Sequence, residues 1–315
     1  MKLIKVVDTY LTFKRSLGLR FQAEKWTLHS FCRKMGDIDI SAVHSGLAQE
    51  FIRGHGPITA YYRQKYRILA SFYRYAVGRG FVPSSPLPSA LPKIPPPAAP
   101  YIYSTEELQR LLKASETLYA DNSRLQGATY RTLILVLYGT GMRVGEAIAL
   151  TLRDVSLSDR VLTIRDGKFF KSRALPVGPR LFEALESYAT QRRKIPMPFG
   201  EDSAFLATRT GRRLHYRTVQ KLFQRMRTRA HVCRESNARY QPRIHDIRHT
   251  AATHRIIAWY RDGADLQRLL PELATYLGHR DISGTQRYLS ITTEVLQEAG
   301  QRFRRYAGLE SRHER

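Results

Sequence analysis

Apolar positions in the first 82 residues recur three and four apart. Val7, Tyr10, Leu11, Phe13 and Leu17 form one such set, and Trp26, Leu28, Phe31 and Met35 a second. Residues so spaced share one face of a 3.6-residue turn, so each set predicts an amphipathic helix. A third helix is predicted near 43–53. The fourth is the most regular, with Tyr61, Tyr66, Leu69, Phe72, Tyr73 and Ala76 interleaved with Arg63, Lys65, Arg67, Arg74 and Arg79. The pattern then stops, because eight of the fifteen prolines fall between Pro83 and Pro100. Proline fixes φ and lacks an amide donor, which predicts an extended, semi-rigid linker at 83–100 between a helical domain at 1–82 and a second domain at 101–315.

Beyond the linker the periodicity changes character. Ser104 followed three residues later by Glu107 fits a capping box and opens a helix through about Ala114. A second helix is predicted from about Leu125 to Tyr138, stopped by Gly139-Thr140-Gly141, after which Val144, Ala147, Ile148 and Leu150 resume helical spacing. Arg160–Ile164 and Arg173–Val177 read as strands joined through Asp166–Lys171, a β-hairpin. From Pro179 to Ala307 the chain reads as helical apart from a short strand near Ala204–Leu206. It includes a basic helix at Thr218–Arg229 and a terminal helix at Thr292–Tyr306 with Val295, Leu296, Ala299, Phe303 and Tyr306 on one side. The predicted fold is mainly α with a small antiparallel β-hairpin or sheet: a helical N-terminal domain and an α+β C-terminal one.

Composition narrows the class. With 43% hydrophobic and 25% charged residues the chain has the balance of a folded globular protein. The 52 Lys+Arg against 27 Asp+Glu give a formal charge of +25, which suits a polyanionic partner, nucleic acid first. An anionic membrane or a ribosomal site would carry the same sign. The excess is present in both halves, 15 basic against 5 acidic residues in 1–97, so if nucleic acid is the ligand a clamp with a positive face on each half is the economical geometry. No apolar run is long enough to span a bilayer and the start is charged too soon for a secretory signal, which predicts a cytoplasmic protein. Cys32 and Cys233 are too few for a disulfide framework and read as small core residues.

Three stretches place cationic donors at helix starts or loops. They are Gly139-Thr140-Gly141-Met142-Arg143-Val144-Gly145-Glu146, then His245-Asp246-Ile247-Arg248-His249-Thr250, and Leu277-Gly278-His279-Arg280 followed by Tyr288. Singly each reads as ordinary structure, since His-x-x-Arg merely puts two polar groups on one helical face. In this order, with Gly167-Lys168-x-x-Lys171-x-Arg173 in the hairpin and a tyrosine nine positions after His279, they resemble the tyrosine recombinases of the phage integrase family. The resemblance covers about 101–307, while the helical N-terminal part is similar to that family's core-binding domain in layout.

The resemblance implies a site-specific DNA recombinase that integrates, excises or resolves a mobile element through a 3′-phosphotyrosine, without a nucleotide cofactor. Tyr288 would be the nucleophile, and Arg143 and Arg248 would clamp the phosphate. His245 and His279 would handle protons or a phosphate oxygen, interchangeably on sequence grounds. Lys168 would be the general acid, with Lys171 a phosphate or groove contact, although the register of the hairpin leaves the two exchangeable. Glu146 would position neighbouring backbone or the first arginine. His245 and His249 lie one helical turn apart and invite a metal reading. No third ligand with metal spacing accompanies them, and His249 reads as a buttress of its helix. Arg63, Lys65, Arg67, Arg74, Lys171, Arg217 and Lys221 are candidate DNA contacts. The implied partner is double-stranded DNA, held by a homo- or hetero-tetramer, with the terminal helix docking either in cis or on a neighbour. A type IB topoisomerase and a catalytically silent DNA-binding protein are the alternative functions.

Overall fold

The computed structural model describes residues 1–315 except 20, 56–57, 94–98, 118–125, 166–171, 235–237, 239, 280, 291–292 and 307–315. It divides into two compact units, Met1–Ala98 and Ala99–Arg315.

The first unit consists of α1 (Leu3–Ser16), α2 (Gln22–Met35), α3 (Ser45–Arg53) and α4 (Ala60–Gly78). Its core takes Val6, Val7 and Tyr10 from α1, Leu28 and Phe31 from α2, and Leu69, Phe72 and Tyr73 from α4. Tyr10 meets Phe72 edge to face with centroids 5.6 Å apart and donates its hydroxyl to Ser71 Oγ at 2.8 Å. Trp26, by contrast, is 69% exposed. It precedes Leu28 by two positions and therefore points away from the buried stripe of Leu28, Phe31, Cys32 and Met35. Leu17 and Tyr61 are exposed because each sits at the end of its helix. Part of the proline-rich stretch belongs to this unit: Leu87 packs on the core, and Tyr66 donates its hydroxyl to the Pro88 carbonyl at 3.0 Å.

The second unit is organised around α6 (Gly127–Thr140), which is apolar on almost every side and accordingly buried. Against it pack α5 (Thr105–Glu116), α8 (Pro179–Arg192) and α10 (Asp246–Arg261). The Ser104–Glu107 capping box is formed at the start of α5. The remaining helices are α7 (Val144–Ala147), α9 (Tyr216–Arg229), α11 (Leu266–Leu277), α12 (Ser283–Gln286) and α13 (Thr293–Tyr306). Beyond Arg143 the helical spacing thus yields one turn only.

A sheet of β1 (Val155–Ser156), β2 (Val161–Ile164) and β3 (Arg173–Pro176) runs antiparallel in that order, with Leu162 opposite Leu175 and Ile164 opposite Arg173. β1 is two residues long and too short for alternation to reveal. The strand expected near Ala204–Leu206 is instead a single bridge from Ala204 to Thr151, in a segment buried on all sides, where an apolar run signals burial and not pairing. Cys32 is buried, but Cys233 is exposed and not part of the core. The terminal helix α13 lies on α10 of its own chain, and Arg261 Nε donates to Glu298 Oε1 across that contact at 2.8 Å.

The end of α6 decides where the following arginine goes. Gly141 takes φ +62°, and its N–H returns to the Leu137 carbonyl at 2.9 Å. A Cβ there would stand 2.5 Å from Leu277 Cδ2. Gly141→Ala combines a left-handed backbone with this overlap and is expected to cost about 2–4 kcal/mol, read as a lowered urea midpoint at unchanged slope. An unchanged midpoint would show that the turn does not need glycine.

Candidate active site

Arg143 is the first residue after the buried turn and the N-cap of α7. Glu146, one turn on, accepts from the Arg143 backbone N–H at 2.9 Å and from its Nη1 at 2.7 Å. The other terminal nitrogen, Nη2, donates to the Gly278 carbonyl at 2.9 Å. Arg248, in the first turn of α10, is 4% exposed. It donates Nη1 to the Gly141 carbonyl at 2.7 Å and Nη2 to the Leu277 carbonyl at 2.8 Å. Burial, with Arg143 nearby, pulls its pKa down to about 10, which leaves it charged at neutral pH. Arg173, the first residue of β3, donates Nε to the Tyr276 carbonyl at 3.0 Å and pairs with Glu146 at 2.8 Å.

Three guanidinium groups therefore gather on the carbonyls of Tyr276, Leu277 and Gly278 at the C-terminus of α11. A helix end leaves its last carbonyls without intrahelical partners and carries partial negative charge, so it suits cations. Gly278 then turns the chain through φ +69° and delivers His279.

Tyr288 lies in the short 3-10 turn Arg287–Ser290 and is fully buried. Its hydroxyl is 3.1 Å from His249 Nδ1. The His279 ring lies nearly parallel to the Tyr288 ring at 6.2 Å, and His279 Nδ1 is 2.6 Å from Thr285 Oγ1. His245 caps α10 and meets His249 edge to face at 5.2 Å. Burial first, then Arg248, lower the His245 pKa, which keeps its imidazole neutral near pH 7.

The structure thus brings Arg143, Arg248, His245, His279 and Tyr288 around one helix end. Lys168 and Lys171 lie outside the described residues. Among the candidate DNA contacts, Arg63, Arg67 and Arg74 are exposed on α4, and Arg217 and Lys221 on α9. Lys65 is engaged within its own unit: its ammonium donates to the Phe51 carbonyl at 2.8 Å and lies 4.8 and 5.0 Å from the Phe51 and Tyr61 ring centres. Among the described residues no group of His, Cys, Asp and Glu could hold a metal ion. Two residues gain a place that sequence reasoning did not assign. His249 meets the Tyr288 hydroxyl, although its position one turn after His245 was the available signal. Arg173 pairs with Glu146, and it already stood in the hairpin motif.

Residues 103–294, which contain Arg143, Glu146, Arg173, His245, Arg248, His249, His279 and Tyr288, match the phage integrase family, and the chain belongs to that family. Its class is that of the tyrosine recombinases, enzymes of DNA strand exchange. y4rB of Sinorhizobium fredii, a provisionally named integrase/recombinase, is 33% identical over 307 residues, covering 96% of each chain. Tyrosine recombinase XerC of Chlorobaculum parvum is 32% identical over 251 residues, covering 75% of this chain and 70% of that one. The Tn1549 transposon integrase, solved in complex with a circular intermediate DNA, shares the fold with a TM-score of 0.68 at 17% identity, covering 94% of this chain and 99% of that one.

Glu146 yields a pH test. Burial alone would raise its pKa, but hydrogen bonds from Arg173 and the Arg143 N–H outweigh that and hold it below the ordinary 4.5. Its contribution to stability is complete above the unfolded value and is lost as pH falls through the lowered folded value. Glu146→Gln is expected to destabilise by about 3 kcal/mol at pH 7. The gap to the unaltered protein should narrow below pH 4.5 in urea titrations; a gap that stays constant would remove the charge pairing as its cause.

Proposed function

We propose that this protein is a site-specific recombinase of double-stranded DNA that cuts and rejoins strands through a 3′-phosphotyrosine at Tyr288. One observation carries the reading: three guanidiniums gather at one helix end with a single carboxylate, which pairs with two of them, near a buried phenol, and this leaves surplus positive charge where a phosphate would gain negative charge. Arg143 and Arg248 are held from behind by carbonyls. Their orientation is set before substrate arrives, and little reorganisation is required as charge builds on the non-bridging oxygens.

In the reaction the Tyr288 oxygen loses its proton and attacks phosphorus, the bond to the 5′-oxygen breaks, and that oxygen takes a proton from a hairpin lysine, Lys168 in preference to Lys171. The released 5′-hydroxyl of a second strand reverses the sequence on the phosphotyrosine, so ester is exchanged for ester and no nucleotide cofactor is consumed. His245, kept neutral by burial, suits the proton acceptor. His279, oriented through Nδ1 by Thr285, would donate Nε2 to a phosphate oxygen. Because reacting atoms must approach to about 3–3.5 Å and the phenol is buried, residues 283–290 have to shift when DNA binds.

Exchange between two duplexes involves four strands, so with one tyrosine per chain the working assembly is a tetramer, of like or unlike recombinases. Its place of action is the cell's DNA. Relaxation alone would use the same chemistry. The recombinase reading is favoured by the relationship to y4rB over nearly all of both chains.

The test uses a duplex selected for binding from a randomised pool and nicked so that the cleaved fragment escapes. The unaltered protein should be trapped covalently, and Tyr288→Phe should bind the duplex and trap nothing. Arg143→Ala and Arg248→Ala should each lower the trapping rate by about 10²–10³. Binding should weaken steeply with salt as phosphate contacts release counterions. Equal trapping by Tyr288→Phe would reassign the nucleophile, and a flat salt response would remove the phosphate contacts.

A further inference from the structure

Arg173 belongs to the hairpin motif, yet the chemistry above gives it no task. We propose that it is a positioning residue for strand cleavage, acting through Glu146 to keep Arg143 oriented and electrically uncompensated toward the phosphate. The proposal rests on reading Arg143 as a phosphate-binding group.

The geometry is that of one carboxylate divided between two arginines. Glu146 Oε1 accepts from Arg143 Nη1 at 2.7 Å and Arg173 Nη1 at 3.3 Å, and Oε2 accepts from the Arg143 N–H at 2.9 Å and Arg173 Nη2 at 2.8 Å. A carboxylate has about four acceptor sites, and here all four are filled. The side chains of Arg173 and Glu146 are 11% and 9% exposed, so water does not substitute readily for either partner. Without Arg173 the carboxylate would face Arg143 alone. The pair would be neutral, and two buried acceptor sites would be vacated, drawing the Arg143 fork inward to fill them. With Arg173 present, the three groups together carry one net positive charge.

The second grip of Arg173 is on backbone. Its Nε donates to the Tyr276 carbonyl at 3.0 Å, two residues before the Gly278 carbonyl that holds Arg143 Nη2 at 2.9 Å. Arg143 is thus held on one side by the carboxylate that Arg173 shares and on the other by the helix end to which Arg173 is also tied. The guanidinium lies so close to Gly278 that a Cβ there would meet its Cζ and Nη1 at 2.7 Å. Gly278→Ala should therefore displace Arg173 without altering it. Lysine cannot reproduce the arrangement, since a single ammonium cannot span both carboxylate oxygens and a carbonyl at once.

The measurement is single-turnover trapping on the selected nicked duplex at saturating DNA, with the scissile position mapped from the adduct of the unaltered protein. Arg173→Met, and Gly278→Ala with it, should fall by about 10–100-fold, the usual loss when a group that orients a charged partner is removed. In a Glu146→Gln background, where no carboxylate charge needs sharing, Arg173→Met should cost less than about threefold more. A duplex with a methylphosphonate at the scissile position lacks the charge that Arg143 compensates, so Arg143→Ala and Arg173→Met should both recover toward the unaltered protein on it. On a 5′-bridging phosphorothiolate, whose leaving thiolate needs no proton, they should stay depressed. Arg173→Lys, which keeps charge and loses the fork, should follow the same pattern and is read if Arg173→Met does not fold.

Restoration of Arg143→Ala but not Arg173→Met on the methylphosphonate would overturn the proposal and leave the phosphate reading intact. Failure to restore either would overturn the reading of Arg143 itself. An undiminished rate for Arg173→Met on the natural phosphate, or full additivity with Glu146→Gln, would also overturn it.

Discussion

Three carbonyls at the C-terminus of α11, those of its last two residues and of the Gly278 cap, constrain the whole site. Arg143, Arg173 and Arg248 come from the N-cap of α7, the start of β3 and the first turn of α10, and each donates to Tyr276, Leu277 or Gly278. Mutual repulsion of three guanidiniums in a partly buried space is offset by one carboxylate and by the negative end of a helix dipole. Because these acceptors are backbone atoms, they neutralise less charge than carboxylates would. Cations are held in place while much of their charge remains available, as a site for a phosphate in transit requires.

The same helix end links the arginines to the phenol. Gly278 passes directly to His279, His279 is fixed by Thr285 of α12, and the Arg287–Ser290 turn follows. A displacement of this segment would therefore be felt at the carbonyls that hold the guanidiniums. Tyr288 is buried against His249 with its hydroxyl within hydrogen-bond distance of Nδ1. A phenol so enclosed is screened from water, and in the proposed reaction its exposure would have to be coupled to DNA binding.

How much of this was legible in sequence follows from what kind of group does each job. Side chains are written as letters, so Arg143, His245, Arg248, His279 and Tyr288, which the fold gathers around one helix end, could be singled out in order from their motifs, and the Ser104–Glu107 cap from its spacing. The acceptors for the arginines are carbonyls, which every residue owns, and only the glycines at 141 and 278 hinted that the backbone there does something unusual. Partnerships across distant elements, Arg173 with Glu146 and His249 with Tyr288, depend on the tertiary fold. Exposure was also invisible: Trp26, on the outer face of α2, and Tyr61, at the start of α4, are as apolar as their buried neighbours, and Lys65 looked like any surface cation although it lies over two rings. Leu87 shows the converse, an apolar residue in a proline-rich stretch that packs on a core.

Carbonyl anchoring of an arginine does not by itself signify chemistry, and the second unit supplies its own control. Arg192 is 1% exposed and donates Nε to the Ala204 carbonyl at 3.0 Å and Nη1 to the Ile195 carbonyl at 2.8 Å. It closes the loop after α8, and burial lowers its pKa, with Tyr188 alongside and, among the described residues, no second arginine paired with it. Arg248 uses the same kind of acceptors but lies beside a second guanidinium and a phenol. The difference is the company each arginine keeps. One isolated buried cation ties a loop, whereas several cations sharing too few negative charges leave an electrostatic surplus that an incoming phosphate can satisfy. In the proposed function the exposed Arg63, Arg67, Arg74, Arg217 and Lys221 would serve a third use, since solvated cations can replace small counterions on DNA at low cost.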